Sequence, residues 1–152
     1  GREFQTNAPL GLNDLLDLLV YNPLAGGVLS GRYQSKEIPD DGGRYSTNDP
    51  VVGAMYRERY FKDVNFEALK VIKPVADKLG LTLLEVAFRW LVHHSKLKIH
   101  DGNDGVVIGV SSLSQLESNL TDLEKGPLPG EVLAALDLAW EITKPSCSLY
   151  WR

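Results

Sequence analysis

One cysteine, Cys147, is all the chain carries. An internal disulfide is therefore excluded, and the composition suits a reducing, cytoplasmic compartment. No apolar run reaches the length needed to span a bilayer, so no membrane partner is expected. Basic residues are in deficit: 16 Lys and Arg stand against 20 Asp and Glu, a formal net charge of −4. That balance argues against nucleic acid, which calls for a basic face, but it leaves room for a local phosphate site. Histidine is also sparse. His93, His94 and His100 cluster around the end of one predicted helix and read as surface or capping residues. With a lone thiol elsewhere, no metal site is expected. The start, Gly1-Arg2-Glu3-Phe4, has neither a secretory apolar stretch behind it nor an initiator Met. A processed or partial product is expected to look this way.

What is present fits one globular domain of 152 residues, with 43% hydrophobic and 24% charged residues. Leu12, Leu15, Leu16 and Leu19 recur at helical spacing, yet Leu18-Leu19-Val20-Tyr21 also reads as a short buried strand stopped by Asn22-Pro23. A turn-rich stretch follows as far as Pro50. Phe66, Leu69, Ile72, Val75, Ala76 and Leu79 form one helical face ended by Gly80, with Pro74 expected to kink the helix or mark a late start. Thr82 and Glu85 make a capping box ahead of a helix with Leu83, Val86, Ala87, Trp90 and Leu91 on one side. Val106-Val107-Ile108 reads as a parallel strand buried on both faces. A second capping box, Ser112 and Gln115, precedes a stripe of Leu113, Leu116, Leu120 and Leu123 that Gly126-Pro127 ends. A last helix from about Glu131 carries Val132, Leu133, Leu136 and Trp140 and closes at Pro145. Helices heavily outnumber strands, too few for a complete open α/β sheet.

Three segments carry chemistry. The first is Asn22-Pro23-Leu24-Ala25-Gly26-Gly27-Val28-Leu29-Ser30-Gly31-Arg32. Its glycines let backbone N–H groups approach a phosphate closely, although an ordinary surface loop would look the same. Gly26 and Gly31 have Walker A spacing, but Arg32 and Tyr33 stand where Lys and a Mg²⁺-binding hydroxyl belong, which argues against an NTPase. The second runs Val106-Val107-Ile108-Gly109-Val110-Ser111-Ser112-Leu113-Ser114-Gln115-Leu116-Glu117-Ser118-Asn119. A strand here feeds a helix whose N-terminus, with two serine hydroxyls, can bind an anion or simply be capped by Ser112. The third, Met55-Tyr56-Arg57-Glu58-Arg59-Tyr60, offers bidentate donors for carboxylate or phosphate, or else a solvated helix face.

In this order and spacing, the motifs resemble the aldo-keto reductases, and the aflatoxin-aldehyde and succinic-semialdehyde reductase branch in particular. The resemblance runs from about Leu18 to Arg152. It implies an α/β fold, the C-terminal part of a (β/α)₈ TIM barrel that is incomplete in this chain, with residues 1–17 a divergent N-terminal segment. It implies NADPH as cofactor. Tyr21 would stack on the nicotinamide. Asn22, Pro23, Leu24, Ala25, Gly26, Gly27, Val28, Leu29, Ser30, Gly31 and Arg32 would run along the pyrophosphate, and Arg44 would add a contact. Ser111, Ser112, Leu113, Ser114, Gln115, Leu116, Glu117, Ser118 and Asn119 would hold the adenosine 2′-phosphate end. Tyr56, Arg59 and Arg152 would line a pocket for a small aldehyde or ketone.

The family's proton donor is a Tyr, tuned by Lys and Asp and assisted by a His, all from the first half of the barrel. No position here matches them, so the resemblance implies no catalytic residue in this chain and a truncated, inactive fragment of an oxidoreductase. The alternative is a non-catalytic nucleotide-binding or interaction module derived from that fold. Unpaired strand edges and uncovered helix faces would favour a homo-oligomer.

Overall fold

The structure, a computed structural model, describes residues 18–39 and 42–147. The segment 1–17, with Leu12, Leu15 and Leu16 of the first stripe, and the terminal Arg152 lie outside the described residues. Strand β1 (Leu19–Tyr21) is followed by a pair of 3-10 turns (Ala25–Ser30). Helices α1 (Pro50–Tyr60), α2 (Asp63–Lys78) and α3 (Leu83–His93) come next. Strand β2 (Gly105–Val107) then leads to α4 (Leu113–Glu124), α5 (Gly130–Thr143) and a short 3-10 turn (Lys144–Ser146).

The ambiguous segment at Leu18 is a strand. β1 pairs with β2 in parallel, with Leu19 opposite Gly105, Val20 opposite Val106 and Tyr21 opposite Val107. Asp104 fixes this register from the side. Its carboxylate accepts the N–H of Lys98 at 2.7 Å and the N–H of Leu18 at 2.8 Å. These two donors, Lys98 foremost, hold the Asp104 carboxyl below the usual carboxylate range.

Local signals set the helix starts. Asp49 accepts from the N–H groups of Val51 and Val52, with Pro50 as the first helical residue of α1. Thr82 accepts from Glu85 N at 3.0 Å, and Ser112 from Gln115 N at 3.2 Å. The reciprocal half of each box departs from expectation. The Glu85 side chain turns to Arg89 and Lys125, and the Gln115 amide oxygen accepts from the N–H and hydroxyl of Ser111. Pro74 lies inside α2, which starts at Asp63, so it does not mark a late helix start. Pro74 and Lys70, whose carbonyl loses its N–H partner there, are both on the exposed side of the helix.

The core lies between α2 and α5, the most extensively packed pair. Phe66, Leu69, Ile72 and Ala76 meet Val132 and Ala139 in it, and the cluster extends to Val28, Tyr45, Phe61 and Leu83. The expected burial of β2 fails, and the leucine stripe of α4 is left uncovered for the same reason. β2 is not buried on both faces, because Val107 is 51% exposed. The leucine stripe of α4 does not face a core either: Leu113 is 70% exposed, Leu120 is exposed, and the buried residues of α4 are Asn119 and Asp122. A hydrophobic stripe is buried only if an apolar layer opposes it. The packing partner of α4 is α3, which presents Glu85 and Arg89 to the α4 terminus.

Two of the three histidines are structural. His93 Nε2 is 2.6 Å from the carbonyl of Lys125, and His94 Nε2 accepts the N–H of Leu128 at 2.9 Å. Together they clasp the α4–α5 link onto the end of α3. Burial, then His93, then Arg89, holds the His94 imidazole below its ordinary value. A protonated His94 cannot accept from Leu128. Its folded-state value is depressed, so the clasp contributes fully above the unfolded value and is lost as pH falls through the folded one. His94→Gln is expected to destabilise by about 1 kcal/mol near pH 7.5. The gap from wild type in urea midpoint should close toward pH 5. A gap that ignores pH would show that another group carries the dependence.

Candidate functional site

β1 and β2 are adjacent and parallel, so their carboxyl ends point the same way. The Gly-rich turn after Tyr21 and the Ile108–Ser112 connection after Val107 therefore leave the sheet from one edge. That edge is where parallel α/β folds collect their ligand-binding loops.

The turn is built tightly. Asn22 and Ala25 have positive φ (59° and 49°), as do Gly26, Gly27 and Gly31 (69°, 103° and 74°). Ala25 N–H donates to Asn22 O at 3.0 Å, closing a turn over Pro23 and Leu24. A Cβ on Gly26 would lie 2.7 Å from Tyr45 Oη, 2.9 Å from Tyr60 and 3.0 Å from Tyr56, so no other residue fits without moving a ring. Gly27 differs: nothing lies within 4 Å of its added Cβ, and its surface is open. Ser30 donates to Gly27 O at 2.6 Å and receives the N–H of Arg32. Tyr21 presents its ring to the outside, 70% exposed.

A groove of about 600 Å³ runs beside this turn. Ala25, Val28, Leu29, Leu69, Ile72, Trp90 and Trp140 line it with apolar surface. Arg59, Lys62 and Asp137 stand among its polar groups. The groove thus joins part of the predicted phosphate loop to Arg59 of the predicted substrate set. Tyr56 does not line it. Its ring packs edge-on to Tyr45 and lies under the Arg44 guanidinium, 5.0 Å from ring centre to Cζ.

The serine-rich segment forms a separate cluster on α4. Ser111, Ser112, Leu113, Ser114 and Gln115 are exposed at the helix start, as are Glu117 and Ser118. Leu116 is half-buried and Asn119 is 6% exposed, facing inward. Gly109 has no neighbour within 4 Å of an added Cβ, so the approach to this helix end is open.

Several contacts around the site escape sequence reading. Arg57, from a segment read as a source of ligand donors, is spent on the carbonyls of Tyr45 and Ser46. Asn22 donates to Tyr60 Oη across 38 residues. Tyr45 is wholly buried, and burial, followed by Tyr60 and Tyr33, pushes its phenol far above the ordinary value. Among the described residues no group of three His, Cys, Asp or Glu is placed to hold a metal, and no helix is long and apolar enough to cross a membrane.

Comparison with known proteins identifies the family. The model of the aldo/keto reductase family matches residues 13–141. An aldo-keto reductase of Pseudocercospora fijiensis is 43% identical over 132 residues, covering 86% of this chain and 44% of that protein. Aflatoxin B1 aldehyde reductase member 2 of Rattus norvegicus is 38% identical over 143 residues, covering 90% of this chain and 38% of its own length. Human aldo-keto reductase family 7 member A3 is 36% identical over 143 residues, covering 90% and 42%. The chain spans less than half the length of these relatives. With most of its residues under the family model, it belongs to the aldo/keto reductase family.

Proposed function

We propose that residues 18–152 are the cofactor-gripping C-terminal half of an NADPH-dependent reductase of small aldehydes or ketones. The observation that carries this reading is the common exit of the two predicted cofactor loops from the carboxyl ends of paired parallel strands. Three further features support a fit to the dinucleotide. The exposed Tyr21 ring is free to stack on a flat heterocycle. Gly27 leaves an open backbone surface for a pyrophosphate. The 12-residue helix α4 offers an exposed N-terminus beside Ser111 and Ser112 for a 2′-phosphate. Asn119 supports the reading least, since it is buried.

NADPH, when bound, supplies the hydride. The chain's own residues bind and orient. Tyr21 faces the nicotinamide, the turn from Asn22 to Arg32 follows the pyrophosphate with Arg44 beside it, and Ser111 to Gln115 meet the 2′-phosphate. Arg59, with the terminal Arg152, receives the substrate, and the groove of Leu69, Ile72, Trp90 and Trp140 favours an apolar one that carries a carboxylate. Tyr56 supports the substrate reading least, since its ring packs against Tyr45 and does not line the groove. Under this reading the proton donor belongs to the preceding half of the barrel, and this chain alone leaves NADPH unoxidised.

Titration with each cofactor tests the proposal. NADPH is expected to bind at least roughly tenfold tighter than NADH, the worth of hydrogen bonds to a charged group. Changing Ser111 and Ser112 together to Ala should erase that preference. Equal affinity for the two cofactors in the wild-type chain would remove the assignment of the 2′-phosphate to α4.

A further inference from the structure

We infer that Tyr60 is a positioning residue whose hydroxyl holds the turn after β1 in its working conformation. The argument starts at Asn22, which follows Tyr21 directly and precedes Pro23. Its φ of 59° is left-handed. Asn tolerates that region better than most residues, but a following proline pushes its neighbour toward extended backbone. A conformation of this kind persists only where the surroundings fix it. The Asn22 amide donates to Tyr60 Oη at 2.8 Å in a part-buried setting, and this is the side-chain contact that ties it down.

Tyr60 is itself immobilised. It is the last residue of α1, and its carbonyl accepts from the Asn65 side chain at 2.8 Å, fastening α1 to the start of α2. Its ring lies 5.8 Å from that of Tyr56, and its edge would touch any side chain on Gly26. The hydroxyl is thus a fixed point supplied by α1, and Asn22 is the hinge attached to it. The direction in which the chain leaves β1 depends on Asn22, and so does the attitude of the N–H groups from Ala25 to Leu29 relative to the Tyr21 ring. What this turn is for rests on the cofactor reading above; that Tyr60 sets its shape does not.

Tyr60→Phe in the full chain removes one oxygen and keeps the ring. Amide exchange, read by mass spectrometry, should rise roughly five- to tenfold across residues 22–31, as expected for one lost hydrogen bond. Exchange in α2 and α5 should not change. Asn22→Gly keeps access to positive φ, and it should loosen the same segment and make Tyr60→Phe silent in the double variant. The NADPH dissociation constant should rise by the same factor as the exchange. Unchanged exchange at 22–31 in Tyr60→Phe would overturn the inference. So would a uniform rise through α2 and α5, which would make Tyr60 a core residue only. Altered exchange at 22–31 in a chain that binds no NADPH would uphold the positioning role and sink the cofactor reading instead.

Discussion

Glu85→Ala is expected to destabilise the chain by about 3–5 kcal/mol, the range for breaking a buried ion pair by removing one partner. The carboxylate is 7% exposed and accepts from Arg89 at 2.7 Å and Lys125 at 2.9 Å. Asp122, also nearly buried, takes a second contact from Lys125 at 2.9 Å. These groups are the seam between α3 and α4. Asp122 first and Glu85 second raise the Lys125 ammonium above its ordinary value, so the lysine stays charged throughout the accessible range. Removing Glu85 does not affect the two cations equally. Lys125 is 41% exposed and keeps Asp122, so water and one carboxylate still serve it. Arg89 is 12% exposed and is left with the carbonyls of Gly126 and Pro127, which carry no full charge. Most of the loss therefore falls on Arg89.

Urea unfolding of Glu85→Ala and Glu85→Gln measures this. Gln keeps one acceptor for Arg89 and should cost clearly less than Ala. The double change Glu85→Leu with Arg89→Met removes both charges, and it should recover part of the loss, limited by the two carbonyls that Arg89 no longer serves. A cost below about 1 kcal/mol for Glu85→Ala, within the range of exposed pairs, would show that Arg89 finds solvent and that the seam is held by other contacts.

Features set by neighbours in sequence were legible before the fold was known. Thr82 and Ser112 cap α3 and α4 as their spacing indicates, and each hydrogen bond spans three residues. Gly80 and Gly126-Pro127 fall just beyond α2 and α4. The order of motifs was also enough to place the chain in its family. What remained illegible depends on partners far away. The α4 leucines have helical period, yet period says which residues share a face and not what stands opposite. Glu85 and Arg89 stand one turn apart, a spacing that signals a pair, but the burial of that pair needed Lys125 from the end of the next helix. Arg57 looked like a ligand donor until the carbonyls of Tyr45 and Ser46 came to it. Asp104 reaches Leu18 across 86 residues, and no local pattern encodes such a contact. The candidate loops were readable as sequence segments; the pairing of β1 and β2 puts both at one sheet edge.

Tyr45→Ala should cost about 3–5 kcal/mol, the loss typical of deleting a large aromatic ring from a packed interior. Tyr45 has no exposed surface. Its ring stacks on Phe61 at 4.0 Å and meets Tyr33 and Tyr56 edge-on at 5.0 and 6.0 Å. Its hydroxyl donates to Ala25 O at 3.2 Å, and its own carbonyl accepts from Arg57. The residue thus joins three parts of the molecule: the loop before α1, the aromatic interior, and the turn that carries the glycines. Tyr45→Phe separates the contributions. It keeps the ring and removes only the bond to Ala25, so it should cost about 1 kcal/mol. That smaller loss should appear as faster amide exchange around Ala25 and not as a general loosening. Tyr45→Ala should instead shift the whole unfolding transition and reduce the near-ultraviolet circular dichroism of the aromatic cluster. If the two variants lose equal stability, the hydroxyl bond supplies everything Tyr45 contributes, and the stacked rings are bystanders in the folding of this chain.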